Sequence, residues 1–297
     1  MTSVSNLCLP TNCFLSDAFA IDVRDGRLSS TGHQSVDDLA SRTAAQSRAM
    51  VEKDTSRLPS NAAAAISIPI YREGELVSIV VFVAMNDSSD AADECEPVGV
   101  FEIWQPIGLY DELALADGYY GRMERFQNVS SFVRFECGNG LPGQVWGKRM
   151  GVIHDDLSNH PGFLRAAGAS ADLLQTAIGI PVINEDFIAS VVLISSHRSP
   201  IARGFEVWQR SDECFELLGG SYIGFDDEAS LVAGTKLGID DGWARLLHDT
   251  GGAVCTDNPD ALMFGRQCNS DANVPKSGMA IPQYRGSRLD SFVTLLF

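Results

Sequence analysis

Apolar runs in this chain come in pairs divided by a short polar turn, and the pair occurs three times. The first spans Ile66 to Val83. The second runs from Ile178 to Ile183, turns at Asn184 to Phe187, and continues from Ile188 to Ile194. The third runs from Met279 to Arg285, turns at Gly286 to Arg288, and ends with Leu289 to Phe297. Each pair is an Ile-Pro-apolar run followed by a second run rich in β-branched and aromatic residues, which predicts a β-hairpin. Pro69, Pro181 and Pro282 are expected early in the first strand, where a missing ladder donor is tolerated. They lie 112 and 101 residues apart, a period that suits tandem domains and is too long for a solenoid.

Two further markers keep the same order. A small-apolar-polar-acidic run precedes each hairpin, at Ala49 to Asp54, Gly151 to Asp156 and Ala253 to Asn258. Helix-like segments such as Gln144 to Gly147 and Trp243 to Leu247 end just before it. After the first two hairpins come near-identical runs, Phe101 to Gln105 (FEIWQ) and Phe205 to Gln209 (FEVWQ). Leu109, Leu113 and Ala116 follow one at helical spacing, and Phe215 and Leu218 the other. Gly121 and Gly224 stand where such helices would stop, and Pro106 would start or kink the first. The expectation is three tandem repeats, 1–97, 98–202 and 203–297, joined by helical connectors. Only the middle repeat carries every marker. The first lacks a GLPG turn. The third keeps Gly238 and Asp241-Gly242-Trp243 but has no closing helix, which must be absent or supplied by a neighbour.

The middle repeat holds the densest pattern, over residues 132–194. A strand is predicted at Phe132 to Phe135, then a glycine-rich turn with Gly138 and Gly140. Leu141-Pro142-Gly143 leads into Val145-Trp146, and a helix is predicted over Gly162 to Leu174. This stretch resembles a GAF domain, the small-molecule sensor module of bacterial signalling proteins. The resemblance implies an α+β fold, GAF/PAS-like, with antiparallel sheets of about six strands and helices packed on one side. Ligand-holding loops and short helices lie on the other side, and connector helices often build a dimer bundle. It also implies a ligand class as broad as cyclic nucleotides, linear tetrapyrroles, haem, small organic acids or formate, so no cofactor is named. No kinase, cyclase, phosphodiesterase or DNA-binding segment accompanies the pattern, so a separate output protein or a homodimer would convey a signal.

Charge narrows the partners. With 39 acidic against 22 basic residues the net charge is -17. Such a balance argues against a nucleic-acid surface, which needs clustered Lys and Arg, and against docking on anionic lipid. The first thirteen residues lack the basic and apolar regions of a signal peptide, and no run approaches a membrane span. Seven cysteines, scattered without a CxxC pair, fit reduced thiols in a cytoplasmic protein better than a disulfide framework.

The expected ligand-binding residues are Phe135, Trp146, His154, Asp156, Phe163, Arg165 and Leu174, all in the middle repeat. Arg165 is the most attractive contact, because a guanidinium on a pocket-lining helix can pair with a carboxylate or phosphate. Its bland counterpart is a surface ion pair. Trp146 has an equally plain reading as a residue packing the cross-helix on the sheet, and the glycines as turn formers. His154, Asp156 and His160 could ligate a metal, but turns and helix caps account for that run more simply, so no metal is expected. No catalytic residue is assigned. Cys137 has no second cysteine nearby, Cys95 sits among acids that raise a thiol pKa, and neither Cys137 nor Cys255 adjoins a histidine for bilin attachment. The leading expectation is a non-enzymatic sensing or regulatory module. The alternatives are an interaction or dimerisation scaffold with degenerate pockets, or a cysteine-dependent redox enzyme of the GAF fold. A middle pocket filled by its own side chains would favour the scaffold.

Overall fold

The computed structural model describes residues 7–10, 12–86, 98–108, 111–266 and 273–297 of the chain. Cys95, Leu109 and Cys268 lie outside them. The first sheet is built from β1 (Leu15–Arg24), β2 (Arg27–Leu28), β3 (Met50–Glu52), β4 (Ala62–Arg72) and β5 (Glu75–Met85), with helix α1 (Gln34–Gln46). The second takes β6 (Gly99–Pro106), β7 (Glu112–Tyr119), β8 (Phe135–Glu136), β9 (Val152–His154), β10 (Thr176–Asn184) and β11 (Asp186–Ser195). Its helices are α2 (Glu124–Phe132), α3 (Gly140–Lys148) and α4 (Ala166–Ala171). The third takes β12 (Gly204–Ser211), β13 (Cys214–Tyr222), β14 (Lys236–Gly238), β15 (Val254–Thr256), β16 (Gly278–Arg285) and β17 (Arg288–Leu296), with α5 (Gly242–Thr250) and α6 (Pro259–Leu262).

All three sheets are antiparallel. The spatial orders are β2-β1-β5-β4-β3, β8-β7-β6-β11-β10-β9 and β14-β13-β12-β17-β16-β15, so the second and third share one topology and the first lacks only the outermost strand. The Ile-Pro hairpins form β4/β5, β10/β11 and β16/β17. Their turns use left-handed backbone at Glu73 and Gly74, at Glu185 and at Gly286, the conformation a tight hairpin needs to match strand twist.

The FEIWQ and FEVWQ runs are not helical connectors. They are strands β6 and β12, each paired with the next strand, β7 or β13. Their period is two. Phe101 and Ile103 face one core while Val100 and Trp104 face another. With both faces buried the alternation vanishes into a continuous apolar run, and the helical spacing downstream is coincidental. The strand expected at Phe132 is instead the end of α2, and β8 begins at Phe135. The GLPG segment opens α3, with Pro142 in the first turn, where its missing N–H costs nothing. Gly143 allows the closest approach there, since a Cβ would stand 2.1 Å from the Glu136 carbonyl oxygen. The helix expected over Gly162 to Leu174 shrinks to the six residues of α4.

Each sheet turns one face inward, and the three inward faces bury one another. Phe82, Ile66 and Ile68 from the first sheet, Ile180, Val191 and Leu193 from the second, and Ile281, Val293 and Leu295 from the third share a single apolar cluster. The outer faces are covered separately by α1, by α2 to α4, and by α5 with α6. The sheets meet in a closed ring, in which β3 lies beside β6 and β7, β9 beside β12 and β13, and β15 beside β1. Corresponding polar contacts mark two of these seams. Lys53 Nζ donates to Asp117 at 2.7 Å, and Ser221 Oγ to Asp155 at 2.9 Å. At the third, the Ala253 N–H donates to Ser78 Oγ at 2.9 Å.

The hairpin prolines are not early in their strands. Each sits two residues beyond the last residue that pairs with the short strand alongside, which is Ser67, Gly179 or Ala280. Beyond those points β4, β10 and β16 present open edges, and the edges converge, with Pro69, Pro181 and Pro282 lining one small void between them. A proline carries no N–H to offer across an open edge, so the three hairpins pack by side chains there. At the seams small residues are mandatory. A Cβ on Gly151 would stand 2.3 Å from Val293. Gly151→Ala should therefore cost about 1–3 kcal/mol by overpacking, lowering one cooperative thermal transition for all three sheets. Gly219→Ala, with nothing within 4 Å of its Cβ position, should stay within about 0.5 kcal/mol. Calorimetry of both variants checks the shared core, and separate transitions for the three sheets would contradict it.

Candidate functional site

The outer face of the second sheet is where the sequence places its ligand pocket. Strand β6 puts Glu102 and Trp104 two residues apart on that face. Glu102 is fully buried, and a buried carboxylate requires compensation. Trp104 Nε1 donates to it at 3.0 Å and Tyr120 Oη at 2.9 Å. Arg165, at the bend that begins α4, reaches the same carboxylate with both terminal nitrogens, one at 2.9 Å, and also donates to Ser130 Oγ at 2.6 Å. Burial and the neighbouring Glu102 charge push the Tyr120 phenol far above its ordinary range, so it stays a donor.

Aromatic rings enclose the guanidinium. Its central carbon lies 5.2, 4.7, 5.8 and 5.3 Å from the ring centres of Trp104, Phe126, Phe135 and Phe163. Those distances lie within cation–π range. Arg165 is 2 % exposed. It is therefore not a surface ion pair, and its guanidinium lies inside the aromatic cage. Of the other expected residues, the structure brings Phe135 and Phe163 into this cage and Leu174 into the same cluster.

The remaining three stand outside the cage, with Trp146 packed against the edge of the same cluster. His154 lies at the periphery, its ring stacked on His160 at 3.8 Å and edge-on to Phe163 at 6.3 Å. Trp146 stacks on Phe187 at 5.7 Å, fastening α3 to β11. Asp156 accepts from the Asn159 amide in an exposed turn. Sequence reasoning missed Glu102, Trp104, Tyr120, Phe126 and Ser130. The signal was available, since Glu-x-Trp within a strand places an acid and an indole on one face, and the motif is repeated.

The third sheet repeats the construction. Glu206 accepts from Trp208 Nε1 at 3.1 Å, from Tyr222 Oη at 2.7 Å and from Thr294 Oγ1 at 2.8 Å, and pairs with the buried Arg266. That arginine is tied down further by the carbonyls of Leu262 and Phe264. In the first sheet Phe19 and Ile21 occupy the matching positions on β1, packed under Val36, Leu39 and Ala40 of α1. A cleft of about 1230 Å³ opens beside that helix, lined by Asp17, His33, Asp38, Arg42 and Arg57 among others.

Desolvation pushes the buried Cys13 and the half-buried Cys255 thiols up to about 12, which leaves them little nucleophilicity, while Cys137 is exposed. Among the described residues no cluster of three or more His, Cys, Asp or Glu is placed to hold a metal. No helix there is long and apolar enough to cross a membrane.

Two predictions follow from these geometries. Replacing one member of the buried pair, as in Arg165→Met or Glu102→Leu, should cost about 3–5 kcal/mol by stranding the other, while the double variant should cost less than the sum. Denaturant unfolding of the three variants reads this coupling, and additivity would refute it. The second concerns His154, which burial holds down at about 3 from an ordinary 6.5. The unfolded chain then binds the extra proton between these values, so this contribution is complete above pH 6.5 and is lost as pH falls towards 3. His154→Phe should flatten the stability profile in that window, as followed by melting temperature against pH.

The architecture meets the expectation of antiparallel sheets with helices on one side. No protein-family model matches the chain, and no curated protein matches it. Similar solved structures are partial. The free methionine-R-sulfoxide reductase from Neisseria meningitidis, in complex with its substrate, is 21 % identical with a TM-score of 0.27 over 34 % of this chain and 53 % of that one. The A. aeolicus nlh2 GAF domain in an inactive state is 18 % identical at 0.27, over 33 % and 58 %. The type II free methionine-R-sulfoxide reductase from Thermoplasma acidophilum is 17 % identical at 0.27, over 35 % and 64 %. The chain thus spans about half to two thirds of each of these proteins, and each likeness covers about a third of the chain.

Proposed function

We propose that this chain is a non-enzymatic regulatory scaffold that acts by association, through a separate partner or a second copy, with its middle and third ligand-type cavities closed at rest. The observation behind this reading is the cage on the second sheet, where Arg165 occupies the space and Glu102 supplies its counter-charge. Large apolar side chains on the same outer surface support it. Phe132, at the end of α2, is 84 % exposed, and Leu164 and Leu173 flank α4 in the open, as at an association surface.

A second reading, small-molecule sensing, is favoured by the cleft beside α1, whose charged lining of Asp17, His33, Arg42 and Arg57 offers groups to a polar ligand. A thiol enzyme of the kind named in two of the similar structures is the third, and the raised thiols of Cys13 and Cys255 lend it no support.

A thermal-shift series with cyclic nucleotides, linear tetrapyrroles, haem, small carboxylates and formate separates the first two. The scaffold reading expects none of them to raise the melting temperature through the cage. A compound that stabilises the wild type, and loses its effect in Arg165→Ala while keeping it in Arg57→Ala, sinks that reading. The reverse pattern places sensing in the cleft.

A further inference from the structure

The cage around Arg165 has a chemistry of its own. Four aromatic faces and one buried carboxylate form a receptor for a flat, delocalised organic cation. The polar atoms bonded to the guanidinium are both oxygens of Glu102 and Ser130 Oγ, and Tyr120 Oη and Trp104 Nε1 donate to the same carboxylate. The side chain that fills this receptor is tightly paired at its tip, but it enters from a short, partly open segment. It departs from a bend outside regular helix, its Nε makes no hydrogen bond, and α4 behind it has six residues. Leu164 and Leu173 on either side are 60 % and 57 % exposed. Leu173 also adopts left-handed backbone, φ 55°, which a leucine rarely takes. The anchors are Phe163, Ala169 and Leu174. Arg266 in the third sheet differs, because two backbone carbonyls of its own segment hold its fork.

We propose that the middle cage is a binding site for guanidinium-class organic cations, with Arg165 as its resident occupant, and that an external cation of this class exchanges with it. Exchange would loosen the segment that follows Phe163 beside α2, with Phe163 itself staying in the cage wall. Only the consequence of that release, a changed association surface, rests on the scaffold reading; the cage chemistry stands apart from it. The charge logic is conservative, because one cation replaces another against Glu102 and no charge is left unpaired. A neutral molecule of the same shape would leave the carboxylate stranded. An anion would be repelled.

The test uses the full chain with methylguanidinium as ligand and methylurea, its uncharged analogue, as control. Arg165→Ala should gain several degrees of melting temperature, or recover its fold, in millimolar methylguanidinium and not in methylurea. The Arg165→Ala/Glu102→Gln double variant should lose that response. The wild type, its cage already filled, should gain far less, while hydrogen exchange over 164–173 rises with added methylguanidinium. The site is refuted if Arg165→Ala, folded or unfolded, responds no better to methylguanidinium than to methylurea, or if the double variant responds equally. Unchanged exchange over 164–173 in the wild type refutes the exchange. None of these results bears on whether the chain associates with a partner, so the two proposals fail separately.

Discussion

Everything in this molecule depends on how three two-faced sheets dispose of their inner faces. A sheet apolar on both sides needs two covers. Here each sheet takes its outer cover from its own helices and its inner cover from the other two sheets. That choice closes the ring, brings β3, β9 and β15 against the start of another sheet, and leaves no inner surface for a connector helix. It also explains the seam glycines. Gly151 is pressed so close to Val293 of another sheet that a methyl group has no room. The prolines belong to the same place, each removing one backbone donor where three open strand edges come together.

With the inner faces consumed by the core, the outer faces are what remains for function, and the protein treats them unequally. The first is filled with plain hydrocarbon from Phe19, Ile21 and α1. The second and third are built around a buried glutamate and arginine. Well-packed apolar residues could do the same filling at no electrostatic cost, so ion pairs of this kind are weak evidence for stability. They are better understood as specifying one arrangement. The arginine must find one carboxylate, and the helical cover is thereby set in one place over the sheet. In the second sheet four aromatic rings also surround the arginine.

The hairpins, their turns and the recurrence of three similar units were legible along the chain, because period-two patterning and turn residues act locally. The site was legible only in pieces. Phe135, Phe163 and Arg165 do lie together in one buried cluster, and the partner that gathers them there is Glu102. Glu102 and Trp104 lay in the most visible repeat of all, FEIWQ, and were obscured because burial on both faces erased the alternation that distinguishes a strand.

What the sequence by itself determined is the strand-turn-strand grammar, the positions of the glycines and prolines, and the acid–indole spacing that two sheets share. Those are short-range properties, decided by backbone torsion and by which side of a strand a residue occupies. Only the tertiary structure decided that three units make one core, that Lys53 meets Asp117 and Asp155 meets Ser221, and that Glu102 meets Arg165 across 63 positions of chain. The physical reason is that a buried charge selects its partner by distance and desolvation, which are set by packing and leave no trace in the spacing of residues along the chain.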